Sequence, residues 1–294
     1  MKIFHRLPYN GNPSGGIKCH YQLCSLEREL GYDAFIVYDT LSQVPSWFKY
    51  DVPHLSESQM DAIADKNRDL IVGWEDIEPL LRSGFAKRVS YIQGEVFVNR
   101  LNPYQGVDLW ISSRYNEESL PQFHARERQF VSPFIDRSVF YLPDESVCPK
   151  DIAISVQQRK GGEDIVQNMR HISDITVIPD CSEENFSTYL RRSKIFIAHS
   201  FPEGLGLPGL EAMACGCLVV GFTGGGGKDY MRHGSNCFVA PDGDWNQLEN
   251  LLHVARFLRK EEHQSYITNA VKTVDWYSKS GTREQLKIAL AQYE

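Results

Sequence analysis

The chain has 294 residues, 42% of them hydrophobic and 23% charged, with a formal net charge of −7. That length suffices for two α/β domains that each bury a core, and the acidic balance argues against nucleic-acid binding, because no basic surplus offsets a phosphate backbone. The seven cysteines are odd in number and lack C-x-x-C spacing, which predicts reduced, mostly structural thiols.

The chain opens on a strand-like run, Ile3–Leu7, with no apolar core of a secretory signal. No apolar stretch approaches the ~18 residues of a membrane span. A cytoplasmic protein is expected, with at most peripheral contact at the inner membrane face. Further strand-like runs follow at Ala34–Tyr38, Leu70–Gly73, Val89–Gln93 and Leu109–Ser112, separated by segments with helical spacing such as Cys19–Leu30 and Asp76–Phe85. Alternation of this kind predicts a parallel, doubly wound sheet. From Ser132 to Lys150 three prolines and few periodic positions suit an interdomain connection. A second series then runs through Ile152–Val156, Ile175–Ile178, Ile195–His199, Leu218–Phe222 and Cys237–Ala240, with helices expected at Glu163–Ile172, Ser182–Arg192 and Pro208–Ala214. Helical segments at Trp245–Leu258, Glu261–Trp276 and Thr282–Tyr293 close the chain. The expected domains are 1–135 and 150–279.

Residues 203–216 are the most informative stretch. Glu203 and Glu211 bracket a loop of glycines that turns into a helix at Pro208. Proline suits the first helical position, and glycines let backbone N–H groups approach a ligand closely. A helix N-terminus adds roughly half a positive charge, so a phosphate is its natural guest, and a nearby acid can hold a pair of hydroxyls. Phosphates and sugar hydroxyls together point to a nucleotide sugar.

Glu203 and Glu211, with seven residues between them and Ala-Met-Ala-Cys-Gly after, resemble the signature of retaining glycosyltransferases of the GT-B fold, family four. Gly15 and Gly16 after the first strand, Arg159 and Lys160 after the first strand of the second half, and Gly224–Asp229 support the resemblance, which is strong for the second half of the chain. It implies two Rossmann-like doubly wound parallel-sheet domains facing each other across a cleft, with the last helix returning to brace the first. It implies transfer of a sugar from a nucleoside-diphosphate sugar to an acceptor hydroxyl with retention, in glycan or polysaccharide biosynthesis. Glu203, Arg159 and Lys160 are then the catalytic candidates. Arg159 and Lys160 would hold the donor diphosphate in place of a metal, although this chain shortens the usual Arg-to-Lys spacing. Glu211 would accept from both ribose hydroxyls. Leu205, Gly206 and Leu207 would contribute backbone N–H groups, and Gly15, Gly16, Gly226 and Gly227 complete the donor-binding set. No cofactor is implied beyond the donor. The acceptor is a saccharide, a lipid-linked sugar or another hydroxyl. A nucleotide-sugar epimerase, a phosphorylase and an inactive sugar-nucleotide binding module remain alternatives.

Other motifs have plainer readings. Four glycines from Gly224 imply a close backbone approach, but Phe222 and Asp229 stand where a Walker loop needs Gly and Ser or Thr. Gly204, Gly206 and Gly209 match G-x-G-x-x-G, yet a proline interrupts them and no acid closes the next strand, against nicotinamide binding. Asp242 and Asp244 resemble a metal-binding pair; Asp244 is expected to cap the helix at Trp245. Gln93, Glu95 and Trp74 are the acceptor-side candidates, with His5, Ser113 and Arg114 beside them, all at or beyond strands of the first domain.

Overall fold

The computed structural model describes residues 1–8, 14–41, 44–75, 77–94, 106–120, 127–158, 167–169, 172 and 174–294. Packing divides the chain into two units, residues 1–134 with 279–294, and residues 135–278.

Unit 1 holds a seven-stranded sheet, all parallel, in the order β3-β2-β1-β4-β5-β6-β7. Its strands are β1 (Lys2–Arg6), β2 (Asp33–Tyr38), β3 (His54–Ser56), β4 (Leu70–Gly73), β5 (Lys87–Ile92), β6 (Asp108–Ile111) and β7 (Arg128–Phe130). Strands buried on both faces read as continuous apolar runs, and β4, Leu-Ile-Val-Gly, is buried at every residue. The two strands that the sequence does not announce, β3 and β7, are three-residue edge strands rich in polar side chains. Helix α1 (Gly15–Glu29) starts at the glycine pair and not at Cys19, so Gly15 and Gly16 form its first turn. Helices α2 (Glu57–Ile63), α3 (Glu78–Arg82) and α4 (Arg114–Glu118) are short. Helix α2 is fixed by a capping box between Ser56 and Gln59.

The last helix of the chain, named α9 below (Lys279–Leu290), belongs to unit 1. It buries Leu286, Ala289 and Leu290, and Gln285 accepts hydrogen bonds from the backbone and hydroxyl of Ser132 at 2.9 and 3.1 Å.

Unit 2 holds a five-stranded parallel sheet in the order β12-β11-β10-β8-β9. These are β8 (Ile152–Gln157), β9 (Ile175–Ile178), β10 (Ser193–Ala198), β11 (Leu218–Gly221) and β12 (Cys237–Val239). Four helices follow from clear signals: α5 (Glu183–Arg192), α6 (Leu207–Ala214), α7 (Trp245–Arg256) and α8 (Lys260–Val274). Ser182 caps α5, and Asp244 caps α7 by accepting from the Gln247 N–H at 2.9 Å. Ile154, Val156, Ile195, Ile197, Leu218 and Val220 form the centre of its core. The helix expected over Glu163–Ile172 falls mostly outside the described residues.

Candidate functional site

In an open α/β sheet, ligands bind beyond the carboxyl ends of strands where the strand order reverses. In unit 2 the chain runs outward from β8 to β9, then returns past β8 to β10, so the reversal lies between β8 and β10. At those ends lie Gln157, the last residue of β8, and the loop 199–206 that leads into α6. A small cavity of about 30 Å³ lies there, lined among others by Gln157, His199, Glu203, Gly206, Pro208 and Tyr230.

Loop and helix meet at Gly206, the N-cap of α6, in the left-handed region at φ 83° and ψ 54°. A usual N-cap side chain would accept a hydrogen bond from the first turn. Gly206 has none, and among the described residues the N–H groups of Leu205, Gly206 and Leu207 find no acceptor in the chain. These donors sit at the positive end of a buried helix, the arrangement that receives anions. Pro208 is the second helical residue, one later than its sequence reading, and Glu211 is the fifth. Glu211 therefore lies beyond the first turn and is 5% exposed, while Glu203 is half-buried in the loop. One helix start and the loop before it bring the two carboxylates, Leu205, Gly206 and Leu207 together.

The glycine run has a different use from the expected one. Glu203 pairs with Gly225 as an isolated parallel bridge, its N–H donating to Gly224 at 2.6 Å and its carbonyl accepting from Gly226 at 2.9 Å. A Cβ on Gly224 would lie 2.5 Å from the Ser200 carbonyl oxygen, and one on Gly226 would lie 2.3 Å from the Gly204 carbonyl carbon. The close backbone approach is thus to the chain's own loop. The N–H groups of Gly226 and Gly227 are spent on Glu203 and Thr223, so these two glycines hold the loop's shape and have no N–H left to offer a ligand. Asp242 accepts from the Gly224 N–H at 3.1 Å, and with Asp244 capping α7 both members of the aspartate pair have structural duties. Among the described residues no group of three or more His, Cys, Asp or Glu is placed to hold a metal ion.

In unit 1, Gly16, Trp74 and Gln93 lie together beyond the ends of β1, β4 and β5. A Cβ on Gly16 would lie 2.3 Å from Trp74 and 3.0 Å from the Gln93 amide oxygen. Gly15 is exposed at the helix start. Both amide atoms of Gln93 are buried without a partner among the described residues, while its backbone N–H donates to Glu75 at 2.9 Å. His5 is not an acceptor-side group. It is fully buried, with Nε2 2.7 Å from Glu27 and Nδ1 2.9 Å from Nδ1 of His20. His20 stacks against Trp74 with ring centroids 5.8 Å apart, and burial together with His5 holds its pKa well below the ordinary value. Ser113 is likewise structural, capping α4 through the Asn116 N–H at 3.1 Å. His20 and Glu27 were absent from the sequence reading; the signal available was two ionisable residues seven apart on the inner face of α1. Arg159, Lys160 and Glu95 lie outside the described residues.

Comparison with known proteins bears on this geometry. Residues 156–274 match the family described as Glycosyl transferases group 1. Unit 2 thus carries a domain of that type, and the matched segment spans the whole site from β8 to α8. No curated protein sequence matches the chain. Among solved structures, a sucrose-phosphate synthase (tll1590) from Thermosynechococcus elongatus superposes with a TM-score of 0.77 at 14% identity, over 99% of each chain. Anabaena Alr3699/HepE, solved in complex with UDP and glucose, gives 0.77 at 13% identity over 99% of this chain and 100% of that one. WaaG, a glycosyltransferase involved in lipopolysaccharide biosynthesis, gives 0.69 at 13% identity over 98% and 99%. The fold is that of GT-B glycosyltransferases: two Rossmann-like parallel-sheet α/β domains.

Proposed function

We propose that the protein transfers a sugar from a nucleoside-diphosphate sugar to an acceptor hydroxyl with retention of anomeric configuration. The observation that carries this reading is that the N–H groups of Leu205, Gly206 and Leu207, at the start of buried helix α6 and flanked by Glu203 and Glu211, have no acceptor among the described residues. Open donors at and just before a helix N-terminus favour a diphosphate, and a carboxylate on either side favours hydroxyls. The group 1 match covers these residues. Two similar folds were solved with UDP and a sugar, Alr3699/HepE with glucose and the pneumococcal O-GlcNAc transferase GtfA with GlcNAc.

In this reading Glu211 accepts from the ribose hydroxyls and Glu203 from hydroxyls of the transferred sugar. The helix end, with Arg159 and Lys160, stabilises charge developing on the leaving diphosphate without a metal. The anomeric carbon passes through oxocarbenium character, and the leaving phosphate takes the acceptor proton on the same face. Trp74 and Gln93 of unit 1 serve a saccharide acceptor. The test is calorimetric titration with UDP-, GDP-, ADP- and TDP-sugars, followed by proton NMR of the product's anomeric signal. Binding of none of them, or an inverted product, would overturn the corresponding half of the proposal.

A further inference from the structure

Resting on that donor-site reading, we propose that Tyr230 is the positioning residue of the anion seat. Its hydroxyl fixes the Gly206 carbonyl and thereby aims the Leu207 N–H at the donor diphosphate. Tyr230 Oη donates to the Gly206 carbonyl at 2.8 Å, and the Gly209 N–H reaches the same oxygen at 3.1 Å. The peptide linking Gly206 to Leu207 is planar and trans, so its C=O and N–H point in opposite directions. Pinning the oxygen on Tyr230 turns the Leu207 N–H the other way, where it meets no acceptor among the described residues. Here the helix start is held through its carbonyl, and the Leu207 N–H keeps no acceptor among the described residues, whereas an ordinary capping side chain would consume a first-turn N–H.

The glycines around this point are shaped to that hydroxyl. A Cβ on Gly209 would sit 2.4 Å from Tyr230 Oη and 3.3 Å from Cζ, and a Cβ on Gly206 would sit 3.1 Å from Oη. Tyr230 itself is rigidly held. It follows directly on the 3₁₀ turn Gly226–Asp229, its carbonyl accepts from Asn236 at 2.8 Å, and its ring meets Tyr277 edge to face at 6.2 Å. Burial raises its pKa well above the ordinary value, so the hydroxyl keeps its proton at every working pH. The glycine run thus carries, one turn later, the side chain that sets the seat.

The experiment is a double-mutant cycle of Tyr230→Phe and Gly209→Ala, read as the dissociation constant for UDP, with GDP and ADP in parallel. Tyr230→Phe removes a neutral hydrogen bond and should weaken binding about three- to tenfold. Gly209→Ala drives a methyl into the hydroxyl and should weaken it more. The double variant should bind better than Gly209→Ala alone, because removing the oxygen makes room for the methyl. Tyr91→Phe is the control: it removes a buried hydroxyl bonded to the Val131 carbonyl at 2.9 Å in unit 1, and should lower stability while leaving UDP affinity unchanged. Unchanged UDP affinity in Tyr230→Phe, or additive losses in the cycle, would overturn the proposal. If the wild type binds none of these nucleotides, the donor-site reading fails instead. The brace is then judged by the amide NMR signals of Gly206 and Leu207, which must shift in Tyr230→Phe if it exists and stay in place if it does not.

Discussion

Gly226→Ala is the sharpest test of how the loop before α6 is held. The new Cβ would lie 2.3 Å from the Gly204 carbonyl carbon and oxygen and 2.4 Å from the Leu205 nitrogen. All three are backbone atoms that cannot swing aside as a side-chain tip does. The two loops must separate, and separation breaks the pair of hydrogen bonds between Glu203 and residues 224 and 226. Forced overpacking costs about 1–3 kcal/mol, and two hydrogen bonds add about 1–3 kcal/mol more. A loss of about 2–6 kcal/mol follows, or a local opening of the loop where the rest of the unit resists. Gly234 is the comparison: its φ is +76°, but a Cβ there meets nothing within 4 Å, so Gly234→Ala carries only the left-handed penalty of about 1–2 kcal/mol. Urea unfolding of both variants, with UDP titration of each, separates the cases. Gly226→Ala should be the less stable and lose nucleotide affinity, while Gly234→Ala keeps it. Equal stability of the two would refute the account of the glycine run.

Glu211→Ala should weaken UDP as well as the intact donor by about 1.5–3 kcal/mol, the range for hydrogen bonds to a charged group; calorimetry showing equal affinity for UDP would remove Glu211 from the ribose. Turnover should survive EDTA, and Lys160→Ala should lose far more rate than nucleoside affinity; activity abolished by chelation and restored by a divalent ion would place a metal at the diphosphate. Burial lowers the pKa of His20, and also those of His54 and His263. Below about pH 6.5 the unfolded chain takes up protons that these folded sites refuse, so stability should fall as the pH drops, by up to about 1.4 kcal/mol per unit for each group. Urea midpoints from pH 7.5 to 5 measure this, and His20→Gln should flatten the slope. Asp244→Ala should cost about 1 kcal/mol of stability through the lost cap on α7 and leave nucleotide affinity unchanged by the same titration.

How much the sequence disclosed depended on whether a residue's duty is local. The bounds of β4 agree residue for residue with its apolar run, Leu70–Gly73, because a buried parallel strand needs apolar side chains on both faces. The edge strands β3 and β7 need them on neither, and His54-Leu-Ser and Arg128-Gln-Phe carry no pattern to read. The start of α1 was hidden because glycine is a poor helix former, so its first turn reads as loop. The spacing of Glu203 and Glu211 announced the loop and helix but not the depth at which Glu211 lies. The buried contacts of Glu27, His5 and His20 join a helix to a strand fifteen or more residues away, and no local pattern encodes a partner at that distance.

The pattern G-x-G-x-x-G at Gly204, Gly206 and Gly209 shows why a spacing has to be explained atom by atom. In a dinucleotide fold its glycines give a tight turn, a close approach to pyrophosphate and close packing of helix on strand. Here Gly204 lies where a Cβ on Gly226 would strike it, so the first glycine serves loop-to-loop contact. Gly206 supplies the left-handed cap. Gly209 leaves room for the Tyr230 hydroxyl, which in turn holds Gly206. Two of the three glycines are therefore required by one tyrosine that lies 21 residues after Gly209. The same spacing arises from a different set of contacts, and in the proposed reading what the two cases share is a helix N-terminus that meets an anion. That shared feature, and not the string of glycines, is what the chemistry of the site depends on.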